Sequence, residues 1–295
     1  MSDTQNVKEE KNQVVGGMLY LVATPIGNLS DLSGRAIKIL SEVDFVAAED
    51  TRNSMRLLSA IGISKPMISY FEHNKRERGP QIVARLSGGE SCALVTDAGT
   101  PAISDPGEDL VALCADAGIP VTSVPGPVAS IVALTLSGLP TGRFTFEGFL
   151  PMDKSERKKR LGELKIERRT LLFHEAPHKL RATLADFCEV FGNDRRIAIC
   201  RELTKRNEEI LRLTVGEAAE YYRENEPRGE YVLVVEGCND ETAGAETAFW
   251  TDLSIPEHVG HYQNLGLSRN DAIKAAARDR GVSKNTVYQE MIGKS

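Results

Sequence analysis

The stretch VTDAGTPAISDPG, Val95 to Gly107, holds two glycines, two prolines and two aspartates directly after the apolar run Cys92-Ala93-Leu94-Val95. A short continuous apolar run reads as a strand buried on both faces, and Asp97 and Gly99 stand where it ends. Downstream, Asp105-Pro106-Gly107-Glu108 carries the chemistry of a helix start: Asp105 as N-cap, Pro106 at the first helical position, Glu108 three residues after the cap. The stretch is therefore strand, loop, helix. An ordinary connection of this kind needs only about two to six residues. This one is longer, and it lies at the carboxyl end of its strand, where open α/β sheets bind their ligands.

Outward from it the same unit repeats. Upstream the pattern is LYLVAT (19–24), a helix over 30–40, VDFVAA (43–48), a helix over 54–60, PMISY (66–70) and a helix over 79–86. Downstream a helix over 106–117 is followed by PVTSV (120–124) and a helix over 127–136. Short apolar strands alternating with helices predict a mostly parallel sheet covered on both faces. After FTFEGFLP (144–151) the pattern changes to a charged helix, RTLLFHEA (169–176), a helix over 177–191, RIAICREL (196–203), EEILRLTV (208–215), a short helix and GEYVLVVEG (229–237). Consecutive strands with few helices between them predict a mixed or antiparallel second sheet.

These patterns divide the chain into a disordered tail (1–17), an N-terminal α/β domain (18–150), a C-terminal α/β domain (151–238), a polar linker (239–250) and a small helical module (251–295). In that last segment Ala272, Ile273, Ala276 and Ala277 fall at helical spacing, and Gly281 precedes a second helix opening at Ser283, a helix-turn-helix-like arrangement.

Composition narrows the function classes. An apolar fraction of 41% and a charged fraction of 26% are those of a soluble globular protein, and no apolar run approaches the ~18 residues of a membrane span. The five cysteines are far apart, with no C-x-x-C pair, as expected of free thiols in the cytoplasm. The first residues show no apolar or Arg-rich targeting pattern. A net charge of −6 speaks against a nucleic-acid binder that uses its whole surface. Locally, 153–169 holds eight basic and four acidic residues, either a patch for RNA or a solvated helix face laced with ion pairs.

Two further connections share the small, rigid residues of the opening stretch: ATPIGNLSD (23–31) after the first strand and VPGPVAS (124–130) after the fifth. Glycine lets a backbone approach a ligand closely, and proline limits the entropy lost on binding. The three loops converge on one cleft if their strands are neighbours. No G-x-G-x-x-G and no G-x-x-x-x-G-K-[ST] is present, so neither a dinucleotide fingerprint nor a Walker-type phosphate cradle is built here. Spacing alone leads to a small organic ligand in a sheet-edge cleft.

Taken in order, LYLVATPIGNLSDLSGRAIKIL, AAEDTRNS, YFEHN, VTDAGTPAISDPG, VPGPVAS, FEGFLP, FHEAPHKL, RELTK and RGEYVLVVEG resemble the tetrapyrrole methylase superfamily, and within it the enzymes that methylate ribosomal RNA. The resemblance runs from about Met18 to Gly237 and on into the helical tail. It implies two α/β domains with a cofactor cleft between them, S-adenosylmethionine as cofactor, and a homodimer. The implied reaction is methylation of the ribose 2′-hydroxyl of a decoding-centre cytidine in 16S rRNA, on free RNA or on the small ribosomal subunit. Carried over position by position, the implied cofactor contacts are Thr24, Pro25, Ile26 and Gly27; Asp97, Ala98, Gly99, Thr100 and Ile103; Pro125, Gly126 and Pro127; and Phe149 and Leu150. The family often has Ser after PGP; Val128 stands there in this chain and removes a hydroxyl from that point.

A ribose hydroxyl is a weak nucleophile at neutral pH, so a base that accepts its proton contributes roughly 10²–10⁴-fold. Candidates are Glu49 and Asp50 at the end of the second strand and Glu72 and His73 after the third; helix capping and ion pairing are the competing roles for such carboxylates. Arg52 suits a phosphate or ribose contact, or a pair with Glu49 or Asp50. Glu175, His178, Arg201, Glu202 and Lys205, at strand ends of the second domain, are either an RNA-facing wall or an internal ion-pair network. His174 and His178 have i,i+4 spacing but no third ligand, and methyl transfer needs no metal, so no metal is expected. A methyltransferase for a corrin or porphyrin precursor and a non-catalytic RNA-binding assembly protein are the alternatives; the EDTR and EHN stretches and the basic segments favour RNA over a macrocycle.

Overall fold

The computed structural model describes residues 13–238, 250 and 253–292. The expected tail lies outside the described residues up to position 12, and the expected linker up to position 249.

Strands β1 (Leu19–Val22), β2 (Phe45–Ala48), β3 (Met67–Ser69), β4 (Cys92–Val95) and β5 (Val121–Val124) form one fully parallel sheet in the order β3-β2-β4-β1-β5. The connecting helices are α1 (Gly34–Glu42), α2 (Thr51–Ala60), α3 (Lys75–Ser87) and α4 (Gly107–Asp116), with α5 (Ala129–Ser137) following β5. Side chains alternate across each strand, so a sheet covered on both faces needs apolar residues throughout. Tyr20, Val22, Val46, Ala48, Ala93 and Val95 pack on one side with Ile39 and Leu40 of α1 and Leu58 of α2. Leu19, Phe45, Ala47, Cys92 and Leu94 pack on the other with Ile82 and Leu86 of α3 and Leu110 and Cys114 of α4.

The second sheet contains β6 (Phe144–Phe149), β7 (Thr170–Glu175), β8 (Arg196–Arg201), β9 (Glu209–Thr214) and β10 (Tyr231–Val235), in the order β6-β7-β10-β8-β9. Only β6 and β7 run parallel; the other neighbours are antiparallel, the mixed sheet expected. Helices α6 (Lys154–Leu164), α7 (Pro177–Phe191) and α8 (Val215–Glu224) cover one face, where Phe173, Ile199 and Leu233 meet Leu161, Leu180, Phe187 and Ala218. The other face is covered by α5, whose Ala133 and Leu134 pack with Leu172, Ala198, Val232 and Val234. A helix of the first half thus closes the core of the second, and both sheets belong to one compact unit ending at Gly237. The division expected at residue 150 needs correction: β6 pairs with β7, so the second sheet begins at Phe144. A strand's composition does not name its neighbour, and this pairing crosses all of α6.

Phe173 is fully buried, with its ring 5.1 Å from that of Phe187. Phe173→Ala is expected to cost about 3–5 kcal/mol, read as a lowered midpoint in urea unfolding.

The basic segment at 153–169 is laced with ion pairs. Arg157 bonds Asp186 at 2.6 Å, Lys158 Glu189 at 2.7 Å, Arg160 Glu147 at 2.6 Å and Arg169 Glu167 at 2.7 Å. Much of the local excess is therefore neutralised by the chain's own carboxylates.

The second unit begins at Cys238. Its helices are α9 (Ile255–Asn264), α10 (Arg269–Asp279) and α11 (Lys284–Ile292). Ala272, Ile273, Ala276 and Ala277 of α10 form its core with Val259 and Val287, as their spacing predicts. Helix α9 is additional to the two helices expected here, and its start is fixed by a capping box between Ser254 and Glu257. No described helix is long and apolar enough to cross a membrane.

Candidate functional site

The sheet order places β4, β1 and β5 side by side, so the three glycine- and proline-rich loops leave neighbouring strands at one rim. Hydrogen bonds knit them together. Thr24 and Gly99 exchange backbone bonds in both directions, at 2.9 and 3.1 Å, and the Thr24 hydroxyl donates to the Thr96 carbonyl at 3.1 Å. The Thr100 hydroxyl donates to the Pro127 carbonyl at 3.1 Å, tying the β4 loop to the β5 loop. Gly126 sits where an added Cβ would come within 2.6 Å of the Ala23 Cβ. Here close loop packing, rather than ligand approach, demands the glycine.

Within the long loop, Asp105 departs from its expected N-cap role. Helix α4 starts at Gly107, and the Asp105 carboxylate gathers the amides of Ala102, Ile103 and Gly107 at 3.1, 3.2 and 2.7 Å. This folds the loop back on itself and holds Ala102 and Ser104 at φ of 66° and 62°. Left-handed backbone at non-glycine residues persists only where the surroundings enforce it, and such strain clusters at functional sites.

Between this rim and the end of the second sheet lies a cavity of about 370 Å³, a size that suits a small organic ligand. Of the expected cofactor contacts, Ile26, Ala98, Gly99, Thr100, Ile103 and Phe149 line it. Pro25, Gly27, Asp97, Pro125, Gly126, Pro127 and Leu150 are not among its lining residues. Asp97 turns toward α2, accepting from the Asp50 amide at 3.3 Å and from the Asn53 side chain at 3.0 Å. Leu150 is buried in the core of the second sheet. The lining adds Val128, Ala129, Ser130, His174, Cys200, Leu203, Glu230 and Val232 to the expected set. Ser130, two residues past the missing family serine, brings a hydroxyl to this wall. Cys200 and Val232 belong to the inward face of the second sheet, a placement that strand alternation allows but cannot assign to a cavity before the sheet order is known. The His174 ring stands edge-on to Phe146 and Phe149, at 5.2 and 5.4 Å, and burial pushes its pKa down, keeping it neutral at neutral pH.

The base candidates sit at the same rim but outside the cavity lining. Glu49, at the end of β2 beside β4, accepts from the Thr96 hydroxyl at 2.6 Å. Asp50 caps α2 through the Arg52 amide at 2.8 Å and holds the Arg52 guanidinium at 3.1 and 2.7 Å. Those hydrogen bonds from Arg52 lower its pKa to about 2, leaving a weak base. The two competing roles, cap and pair partner, thus fall together on Asp50. His73 is exposed, edge-on to Phe71, and the Glu72 carboxylate pairs with Lys75 at 2.9 Å.

The expected RNA-facing residues divide. Arg52 and His178 are exposed. Glu175 is buried instead, accepting from the Ala176 amide at 2.8 Å and the Thr183 hydroxyl at 2.5 Å. Arg201 pairs with Glu209 at 3.1 Å, and Lys205 with Glu202 and Glu230 at 2.8 and 2.9 Å. Arg201 and Lys205 thus serve the internal ion-pair network that is the alternative expectation, while Glu175 lines the cavity.

With a parallel sheet whose three tight loops converge on a cavity against a second, mixed sheet, the chain belongs to a known class: residues 18–219 match the family described as Tetrapyrrole (Corrin/Porphyrin) Methylases. Among solved structures, uroporphyrin-III-C-methyltransferase from Thermus thermophilus superposes with a TM-score of 0.54 at 20% identity, over 78% of this chain and 97% of that one. A cobalt precorrin-4 methyltransferase does so at 0.54 and 16%, over 75% and 95%. Both likenesses speak to the fold. In sequence, ribosomal RNA small subunit methyltransferase I of Halalkalibacterium halodurans is 49% identical over 272 residues, 92% of this chain and 93% of the relative. The Bacillus subtilis protein of the same name is 47% identical over the same shares.

Proposed function

We propose that this chain transfers the methyl group of S-adenosylmethionine to small-subunit ribosomal RNA, at the ribose 2′-hydroxyl of a decoding-centre cytidine in 16S rRNA. The observation that carries the reading is the cavity at the junction of the β4, β1 and β5 loops with the second sheet, in a chain whose relatives at 47–49% identity bear the rRNA methyltransferase name. The residues present fit the cofactor. Ile26, Ile103, Val128, Leu203 and Val232 offer apolar walls to an adenine ring, while the backbone of Ala98 and Thr100 and the Ser130 hydroxyl offer polar groups. When bound, S-adenosylmethionine supplies an electrophilic methyl on sulfur.

What remains for the protein is alignment, because a displacement at carbon is accelerated chiefly by holding the nucleophile in line. The knitted loops give that rigidity. Glu49 is assigned as the base: one carboxylate oxygen is oriented by the Thr96 hydroxyl, and it stands at the same rim as the cavity. Arg52 and His178, both exposed, are assigned to the RNA. The same reading takes the protein to be a cytoplasmic homodimer, its mass to be measured by light scattering.

The test uses small subunits from cells lacking the protein, incubated with purified chain and radiolabelled S-adenosylmethionine. Label is expected in 16S rRNA, in a cytidine whose 3′ phosphodiester resists alkali. Label on tetrapyrrole precursors and none on RNA would sink the assignment.

A further inference from the structure

The turn at 202–206 meets the first loop across the cavity, and one side chain joins them. Leu203 and Ile26 line the cavity from the two halves. Beside Ile26, Gly27 packs so closely that an added Cβ would overlap the Lys205 Cγ and lie 3.0 Å from the Thr204 Oγ1 and 3.2 Å from the Leu203 carbonyl oxygen. The turn is strained, with Glu202 and Thr204 at φ of 52° and 66°. Such a backbone needs external support. Support comes from the Glu208 carboxylate, which accepts from the Thr204 amide at 2.6 Å, and from Lys205. The Lys205 ammonium bridges Glu202 at 2.8 Å and the cavity-lining Glu230 at 2.9 Å, and Glu202 also accepts from the Glu230 amide at 2.9 Å. Its stem lies on Gly27 while its charge joins the turn to the start of β10.

We propose that Lys205 is a positioning residue that clasps the 202–206 turn against the Gly27 backbone and so sets the separation of the Ile26 and Leu203 walls that grip the methyl donor. The inference rests on the cofactor assignment above, and it replaces the RNA contact expected of Lys205 from sequence. An ammonium already placed between two carboxylates has little charge left for a phosphate: the three groups together carry a net −1.

The test is titration calorimetry with S-adenosylmethionine, alongside methylation of small subunits, for the wild type, Lys205→Met and Lys205→Arg. The methionine variant keeps the stem and deletes the charge, leaving two carboxylates facing each other. Its donor Kd and donor KM are expected to rise about tenfold with kcat within about twofold. Arginine restores stem and charge and is expected to recover affinity to within about threefold, a rescue that general loss of stability would not show. Unchanged donor affinity in Lys205→Met overturns the proposal. So does loss of RNA methylation with donor affinity intact, which would make Lys205 an RNA contact after all. If circular dichroism shows Lys205→Met unfolded, Glu230→Gln carries the test by breaking one pair at an exposed carboxylate, with about a threefold loss expected and unchanged affinity again decisive against the clasp. A wild type that binds the donor yet labels no small-subunit RNA defeats the functional reading and leaves the clasp standing.

Discussion

Replacing Gly99 with valine should reduce S-adenosylmethionine affinity by at least about 10- to 100-fold while the chain stays folded. Gly99 adopts φ +86°, where a β-branched residue is strongly disfavoured. An added Cβ alone would meet the Ile26 Cγ2 and the Pro127 carbonyl oxygen at 3.4 Å, ordinary contact, so the backbone is the first obstacle and the valine methyls the second. The residue has no freedom to relax, since both its N–H and its carbonyl are bonded to Thr24. Strain of about 1–3 kcal/mol at such a position corresponds to roughly 5- to 150-fold, a span that brackets that range. Methyl groups projecting into the cavity would add to it. Calorimetry with the donor, paired with a thermal melt, separates the two consequences. Gly99→Ala, which keeps the strain without the γ-methyls, should fall between. Wild-type affinity in the valine variant would mean that the donor binds elsewhere.

Why that loop could be found from sequence, and its partners only in part, is a matter of range. Strand, loop and helix are local: the apolar run at 92–95 and the glycines and prolines at 99–107 determine them within a dozen residues. Convergence of the three loops is one step less local, because it depends on β1 lying between β4 and β5, which no single segment specifies. The second sheet is less local still. Cys200, Leu203 and Val232 reach the cavity only because β10 inserts between β7 and β8. β6 joins that sheet through a pairing that its own residues do not announce. Charged residues are the least legible in a sequence. Asp50, Arg52, Glu72 and Glu175 stand in equally suggestive strand-end motifs, yet Asp50 caps a helix, Glu72 pairs with Lys75 and Glu175 is buried on Thr183. A motif names the residue type, whereas the surrounding hydrogen bonds decide whether its charge remains available.

The same distinction singles out Glu49, and Glu49→Gln should lower kcat by roughly 10²–10⁴-fold, the span of general-base catalysis. Glutamine is nearly isosteric, and its amide oxygen can still accept from the Thr96 hydroxyl, which now bonds the carboxylate at 2.6 Å. The geometry at the ends of β2 and β4 is thereby kept and only the ability to take up a proton is removed. Donor affinity should therefore remain near that of the wild type, separating this variant from the Gly99 substitutions. Asp50→Asn provides the contrast: a carboxyl held near a pKa of about 2 by Arg52 is poorly suited to accept a proton from a hydroxyl, so its loss should act mainly through α2 and the placement of Arg52. Single-turnover methylation of small subunits at saturating donor reads the chemical step directly. A Glu49→Gln rate within about threefold of the wild type, well short of the 10² lower bound, would remove Glu49 from the chemistry. The neutral His174 ring inside the cavity would then be the next residue to substitute.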